Sequence, residues 1–164
     1  MARKVFFSFH YERDIMRVSQ VRNSNVTKVG YEQAGFIDHA DWESIERDGE
    51  AAIKNWINAQ MKGASVLAVL IGAQTAGRPW VNYEIIRAYN EGLGLVGIHI
   101  NGLKDPRTGL ADTRGLNPFA NITASDRPGQ PALSTFVATY DWVSNDGYNN
   151  FGTWVETAAK AAGR

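Results

Sequence analysis

Five short apolar runs divide the chain, and polar or glycine-rich residues separate them. Residues 66–71 are the most uniform run, because all six are aliphatic and three of them are β-branched. A continuous run of this length is typical of a strand buried on both faces, as in a parallel sheet. The same pattern predicts strands at 5–9, 35–38, 66–71, 95–100 and 136–143.

Between the runs, apolar residues recur at spacings of three and four, which predicts amphipathic helices. Val81, Ile85 and Ala88 form one such stripe, and Pro79 suits the first helical turn, where its missing N–H costs nothing. A helix or partly helical crossover is predicted at 14–26, and helices are predicted from an N-cap at Asp48 to residue 62, from 79 to 91, and at 148–162. Residues 39–48 are predicted to be a polar loop, and the Gly- and Pro-rich residues 101–131 a long lid, binding loop or mobile segment.

The alternation of strands and helices predicts an α/β fold with a mainly parallel sheet covered on both faces. The length suits one domain, and no repeat or linker divides residues 1–164. In open sheets of this class, ligands bind at the carboxyl ends of the strands. Glu84, one turn after Trp80 in the helix that follows the 66–71 strand, is therefore expected beside the pocket.

Composition removes several classes of function. Equal numbers of basic and acidic residues, 17 of each, argue against a nucleic-acid partner held by phosphate neutralisation. The absence of cysteine excludes disulfides, thiolate metal sites and a thiol nucleophile, and it fits the cytoplasm. The apolar run after the basic start is too short for a signal peptide, and no segment approaches the length of a membrane span.

Other sequence motifs do not indicate a metal site, a P-loop or a serine hydrolase. His10, His39 and His99 come from separate segments without a metal-ligand spacing, so no metal site is predicted. No P-loop or G-x-S-x-G pattern occurs. Trp56, Trp142 and Trp154 are assigned to packing. From spacing alone, Glu84 is more simply an exposed helix glutamate than a catalytic group.

Three segments together resemble the TIR and TIR-like domains: VFFSFHYERD, GFIDHADW and SVLAVLIGAQTAGRPWVNYEI. Residues 80–84, WVNYE, are similar to the W-x-x-x-E motif of that family, whose glutamate is catalytic in the NAD-cleaving members. The tail TYDWVSNDGYNNFGTWV and residues 96–101 resemble more narrowly the ThsB proteins of the Thoeris anti-phage system. The resemblance covers nearly the whole chain and implies a flavodoxin-like fold.

The resemblance implies that Glu84 is catalytic and that Phe9, His10 and Tyr11 face the nicotinamide end of NAD+. Many family members have arginine where this chain has His10 and Tyr11, so an aromatic ring is expected to stack on the pyridinium instead. Trp80 is an aromatic wall or core packing, and Phe9 is a contact or packing residue. Asp38 and Thr75 are further substrate-binding candidates, with a loop cap and a loop turn as the respective alternatives.

The implied reaction is cleavage of NAD+ to nicotinamide, with closure of ADP-ribose into a cyclic nucleotide that activates a downstream effector. NAD+ is then the substrate, and no cofactor or metal is required. Two alternatives stay open: a non-enzymatic assembly module, and a glycohydrolase that releases linear ADP-ribose. Homo-oligomer formation is also implied, because TIR enzymes often need assembly to complete the cleft.

Overall fold

The computed structural model describes residues 3–25, 31–37 and 39–164. The five strands are β1 Arg3–Ser8, β2 Tyr31–Ala34, β3 Val66–Ile71, β4 Gly94–His99 and β5 Thr139–Asp141. The five helices are α1 Tyr11–Asn25, α2 His39–Arg47, α3 Glu50–Met61, α4 Pro79–Asn90 and α5 Gly147–Ala161. A single 3₁₀ turn, Leu133–Thr135, precedes β5 in the described chain.

The strands form one sheet in the order β2-β1-β3-β4-β5, and every pair is parallel. This confirms the predicted α/β class and is the strand order of flavodoxin-like folds. The chain first moves outward from β1 to β2 and then crosses back to β3 on the other side of β1. The switch point between β1 and β3 is where such folds bind ligands.

Alternate residues of the strands build a separate core on each face of the sheet. One face packs against α3 and α4 and includes Phe6, Leu67 and Ile85. The other packs against α1 and α5 and includes Phe7 and Phe151. All six residues of β3 are buried, as their apolar run predicts.

The second strand was predicted at 35–38, but β2 lies four residues earlier. It is an edge strand paired only with β1, and apart from the buried Ala34 its residues are exposed or half-buried, so it gives no apolar run. Gly35 ends it with a φ of 89°, and a Cβ there would collide with the Phe7 carbonyl oxygen. Asp38 lies outside the described residues.

The predicted polar loop at 39–48 is wrong, because α2 occupies it. Trp42 and Ile45 lie three residues apart, and both half-bury against the core beside α3. Gly49, with a φ of 97°, is the N-cap of α3 in place of the predicted Asp48. The helices predicted from residue 79 and at 148–162 are confirmed as α4 and α5, and each predicted end lies within one residue of the observed end.

The last strand is shorter than predicted, since β5 has only three residues and Phe136 ends the 3₁₀ turn before it. Residues 101–131 contain no helix or named strand, as predicted for a long loop. Two isolated antiparallel β-bridges, Asp105 with Leu110 and Thr123 with Ala132, connect parts of this segment. Among the described helices, none is both long and apolar enough to cross a bilayer.

Candidate active site

A cavity of about 230 Å³ opens at the carboxyl edge of the sheet, at the switch point between β1 and β3. The chain leaves β1 through Phe9 and His10, and it leaves β3 through the loop that leads to α4. Both crossings start at the same edge of parallel strands, so their side chains meet. The described lining residues are Phe7, Phe9, His10, Tyr11, Glu12, Gly35, Ile37, Trp42, Glu46, Trp56, Arg78, Pro79, Trp80, Val81 and Glu84.

Glu84 lies at the inner end of this cavity on the buried side of α4. Its 8% exposure excludes the alternative of a solvated helix glutamate. Val81, Ile85 and Ala88 hold the same helix face against the core, which fixes the direction of the carboxyl group. The packing of α4 therefore places a buried carboxyl group at the inner end of the cavity.

Burial raises the pKa of Glu84 to about 8. The hydroxyl of Ser8, at the end of β1, acts in the opposite direction and lowers that pKa. Glu84 Oε2 and Ser8 Oγ are both buried, and neither completes a hydrogen bond with another described residue. The carboxyl group is thus largely protonated near neutral pH, and a cation placed in the cavity would favour its ionised form.

Aromatic rings form the wall opposite α4. Tyr11 stacks on Trp42 with 6.0 Å between ring centroids, and Trp42 meets the edge of Trp56 at the same distance. Phe9 lies 6.2 Å from Tyr11. Trp42 and Trp56 were not predicted as site residues, and the sequence signals for Trp42 are its spacing with Ile45 and its place at the end of the GFIDHADW segment. A wall of this kind suits a flat, cationic ring.

Three carboxyl side chains line the cavity, with Glu12 and Glu46 exposed at its rim and Glu84 inside. Arg78 is the one described Arg or Lys in the lining, and it donates from Nε and Nη2 to Gln74 oxygens at 3.0 Å each. Burial, and then the charge of Arg78, lower the pKa of His10, which keeps the imidazole neutral at pH 7. The acidic excess favours a cationic ligand group.

The structure brings Phe9, His10, Tyr11 and Trp80 to the cavity with Glu84, and their contacts with substrate stay predictions. Trp80 is half-buried and meets the edge of Tyr83 with 5.7 Å between centroids, so it is both a packing residue and a wall. Two substrate-binding candidates remain, Asp38 and Thr75. Asp38 lies outside the described residues and stays a prediction.

Thr75 faces away from the cavity and is fully buried. Its Oγ1 accepts a hydrogen bond from the Gly72 N–H at 2.8 Å and lies 3.5 Å from Asp14 Oδ2. Asp14 in turn packs against Gly72 so closely that a Cβ there would collide with the carboxylate. Thr75 therefore matches the alternative prediction of a residue in a loop turn, and its hydrogen bond to Gly72 stabilises the loop that leads to α4.

The long segment 101–131 packs beside the cavity and not across it. Arg13 makes a bidentate pair with Asp112 at 2.8 and 2.9 Å, and Arg17 donates to the Leu103 and Leu110 carbonyl oxygens. None of the described lining residues comes from this segment. The structure therefore holds the segment against α1 and leaves the cavity open.

Of the histidine side chains that the structure describes, His10 lies at the cavity and His99 is buried at the end of β4. Within residues 3–25, 31–37 and 39–164, no group of three or more His, Asp or Glu side chains is arranged to hold a metal ion.

Comparison with known proteins adds two findings. A family model described as "Thoeris protein ThsB, TIR-like domain" matches residues 6–105, which include the β1 edge, α2 and the whole of α4. A curated protein of Bacillus cereus (strain MSX-D12), named "Putative cyclic ADP-D-ribose synthase ThsB1", is 37% identical over 192 residues. That alignment covers 94% of this chain and 100% of the relative.

Proposed function

This chain belongs to the family of ThsB TIR-like domains of Thoeris systems, and on that premise we propose that it cleaves NAD+ at the nicotinamide–ribose bond. The observation that carries the proposal is Glu84, a desolvated carboxyl group without a charged partner, inside a cavity walled by aromatic rings. Arg78, the one described Arg or Lys in the lining, donates to Gln74, so no described cationic side chain pairs with Glu84. The pyridinium of NAD+ supplies a cation.

The proposed chemistry is a dissociative cleavage. The carbon–nitrogen bond breaks, nicotinamide leaves with the electron pair, and positive charge develops at the ribose anomeric carbon, as in glycoside cleavage. When NAD+ binds, its positive ring lowers the pKa of Glu84, and the carboxylate forms where the charge will develop. Electrostatic stabilisation of this kind acts most strongly in a water-poor site.

The cavity volume suggests which part of NAD+ is enclosed. At about 230 Å³ it is smaller than the range of roughly 300–1,000 Å³ that is usual for ligand pockets. The nicotinamide and its ribose would fill it, with the ring against Tyr11 and Trp42. The pyrophosphate would lie at the mouth beside Arg78, and the adenosine would extend outside or against a second copy of the chain.

The fate of the ribosyl cation separates two products. In a cyclase, an adenosine group of the same molecule attacks the anomeric carbon, giving nicotinamide, a cyclic ADP-ribose and one proton. We propose this outcome, with a downstream effector that responds to the nucleotide, because the Bacillus cereus relative is named for cyclic ADP-D-ribose synthesis. The open cavity favours a second candidate, in which water attacks and linear ADP-ribose forms.

A mass-resolved assay of the purified protein with NAD+ tests the proposal. Nicotinamide with a cyclic ADP-ribose mass supports the cyclase, and nicotinamide with linear ADP-ribose alone supports the glycohydrolase. Glu91→Gln is the matched control for Glu84→Gln, because it makes the same substitution at an exposed site just after the same helix. If no nicotinamide forms at any protein concentration, with or without lysate from phage-infected cells, the chain is the non-enzymatic assembly module.

A further inference from the structure

A second cavity, of about 550 Å³, lies at the amino ends of the strands, on the opposite edge of the sheet from Glu84. It is bounded by the start of β4, the residues before β5, and the last turns of α4 and α5. Its volume falls in the usual range for small-molecule sites. Neither the proposed reaction nor the resemblance uses this cavity.

The lining of this second cavity is aromatic and uncharged. Tyr140 stacks on Trp154 with 4.3 Å between centroids and 7° between planes, and Tyr89 lies 6.2 Å from Phe136. Phe136 is 55% exposed, which leaves a large apolar ring at the mouth. No Asp, Glu, Lys or Arg occurs among the described lining residues. A ligand with a phosphate or carboxylate would lose its hydration here without a compensating charge.

The backbone of Leu95 supplies the polar feature of the cavity. In β4, Gly94 donates to Ser65 on the β3 side, whereas Gly97 donates to Ala138 on the β5 side. Because residues of a strand alternate, the N–H and C=O of Leu95 also point toward the β5 side. Pairing with β5 begins only at Gly97, so both groups of Leu95 face the cavity wall without a backbone partner in the described chain.

In the parallel register set by the Gly97 N–H and the Ala138 carbonyl oxygen, the partners of Leu95 would be the Phe136 C=O and the Ala138 N–H, and neither bonds to Leu95 in the described chain. The N–H groups of Phe136 and Val137 are both directed to the Leu133 carbonyl oxygen in the 3₁₀ turn. The strand edge therefore stops one pair short, and the free donor and acceptor of Leu95 lie side by side. An unpaired backbone N–H or C=O in a partly buried position is costly, so a ligand that satisfies both is favoured.

We propose that this cavity binds a neutral, flat aromatic molecule that carries an amide, or an equivalent adjacent donor and acceptor. The rings of Tyr140, Trp154 and Phe136 would enclose its aromatic part, and Leu95 would pair with its amide. A single free residue is too short an edge for an added peptide strand, which pairs with alternate residues along several positions. This inference does not rest on the proposed NAD+ cleavage.

Benzamide and benzoate form a matched pair of probes, since they differ mainly in charge. In ¹H–¹⁵N NMR titrations of the full chain, benzamide is expected to shift the Leu95 amide and the Trp154 indole. Benzoate is expected to bind at least about tenfold more weakly, because its charge would be buried unpaired. N,N-dimethylbenzamide, which has no N–H donor, should also bind more weakly.

Ala161→Trp places a large ring in this cavity from the exposed end of α5, and it should abolish the benzamide shifts at Leu95. Ala51→Trp makes the same change at an exposed position on α3 and should leave them intact. Equal binding of benzoate, or shifts confined to the residues around Glu84, would overturn the proposal. So would concentration-dependent shifts that show a second copy of the chain covering the cavity.

Discussion

Replacing Glu84 by glutamine is expected to stabilise the folded chain, because it removes a carboxyl group that folding makes hard to ionise. The pKa of this group is raised from 4.5 to about 8, and desolvation is the main cause. The folded state therefore holds a proton that the unfolded state releases. The contribution of this group to the free energy of unfolding is therefore greatest below pH 4.5, the unfolded pKa, and it is lost progressively as the pH rises toward 8.

The magnitude follows from the two pKa values. Each pKa unit corresponds to about 1.4 kcal/mol, and pH 7 lies 2.5 units above the unfolded value. The carboxyl group should therefore lower the free energy of unfolding by roughly 3 kcal/mol at pH 7, relative to its value at low pH. Glutamine has a similar shape and no charge, so Glu84→Gln should avoid this loss.

Urea denaturation of both proteins at unit intervals from pH 5 to pH 9 measures the effect. Asp14, whose pKa burial raises to about 6, adds its own pH dependence to both proteins, so the difference between them isolates Glu84. That difference should grow in favour of Glu84→Gln between pH 5 and pH 8 and then level off. A difference that does not change with pH would refute the account of Glu84 as a desolvated carboxyl group.

Three further predictions follow from the same geometry. The kcat/KM for NAD+ should rise with pH up to about 8, because this ratio reports the pKa values of the free enzyme and Glu84 must be ionised to act. A kcat/KM that stays constant from about pH 6 to pH 9 would contradict this prediction. Trp42→Ala should raise KM by about 3- to 30-fold with little change in kcat, and Trp42→Phe should restore most of the affinity; an unchanged KM would remove Trp42 from the binding wall. Gly72→Ala should cost about 1–3 kcal/mol in urea denaturation because its Cβ collides with Asp14, and adding Asp14→Ala should recover part of the loss; a single variant of wild-type stability would disprove the contact.

The central strands could be predicted from sequence because burial on both faces demands continuous apolar residues. Val66–Ile71 meets that demand, and its bounds agree with the structure. Tyr31–Ala34 does not, because it lies at the edge of the sheet and, of its four residues, only Ala34 is buried. Phe36, in the apolar run that follows, lies outside the strand and stacks on Phe7 with 4.8 Å between ring centroids.

The candidate site could be predicted only in part. The position of Glu84 follows from the helix period and the edge of the sheet, but its burial depends on the elements packed around α4, and its raised pKa depends on that burial. Trp42 was missed because the segment around it is polar and reads as a loop. Its helical structure comes from contacts with α3 and the core, which local sequence does not contain.

The most direct test of the central claim is the rate of nicotinamide release by the wild type and by Glu84→Gln at saturating NAD+. Both proteins are first shown to be folded by their urea transitions, and Glu91→Gln serves as the control. We expect Glu84→Gln to be slower by on the order of 10²–10³, the usual cost of losing one well-placed electrostatic group. A folded Glu84→Gln protein that releases nicotinamide at the wild-type rate would contradict the assignment of Glu84 as the catalytic residue.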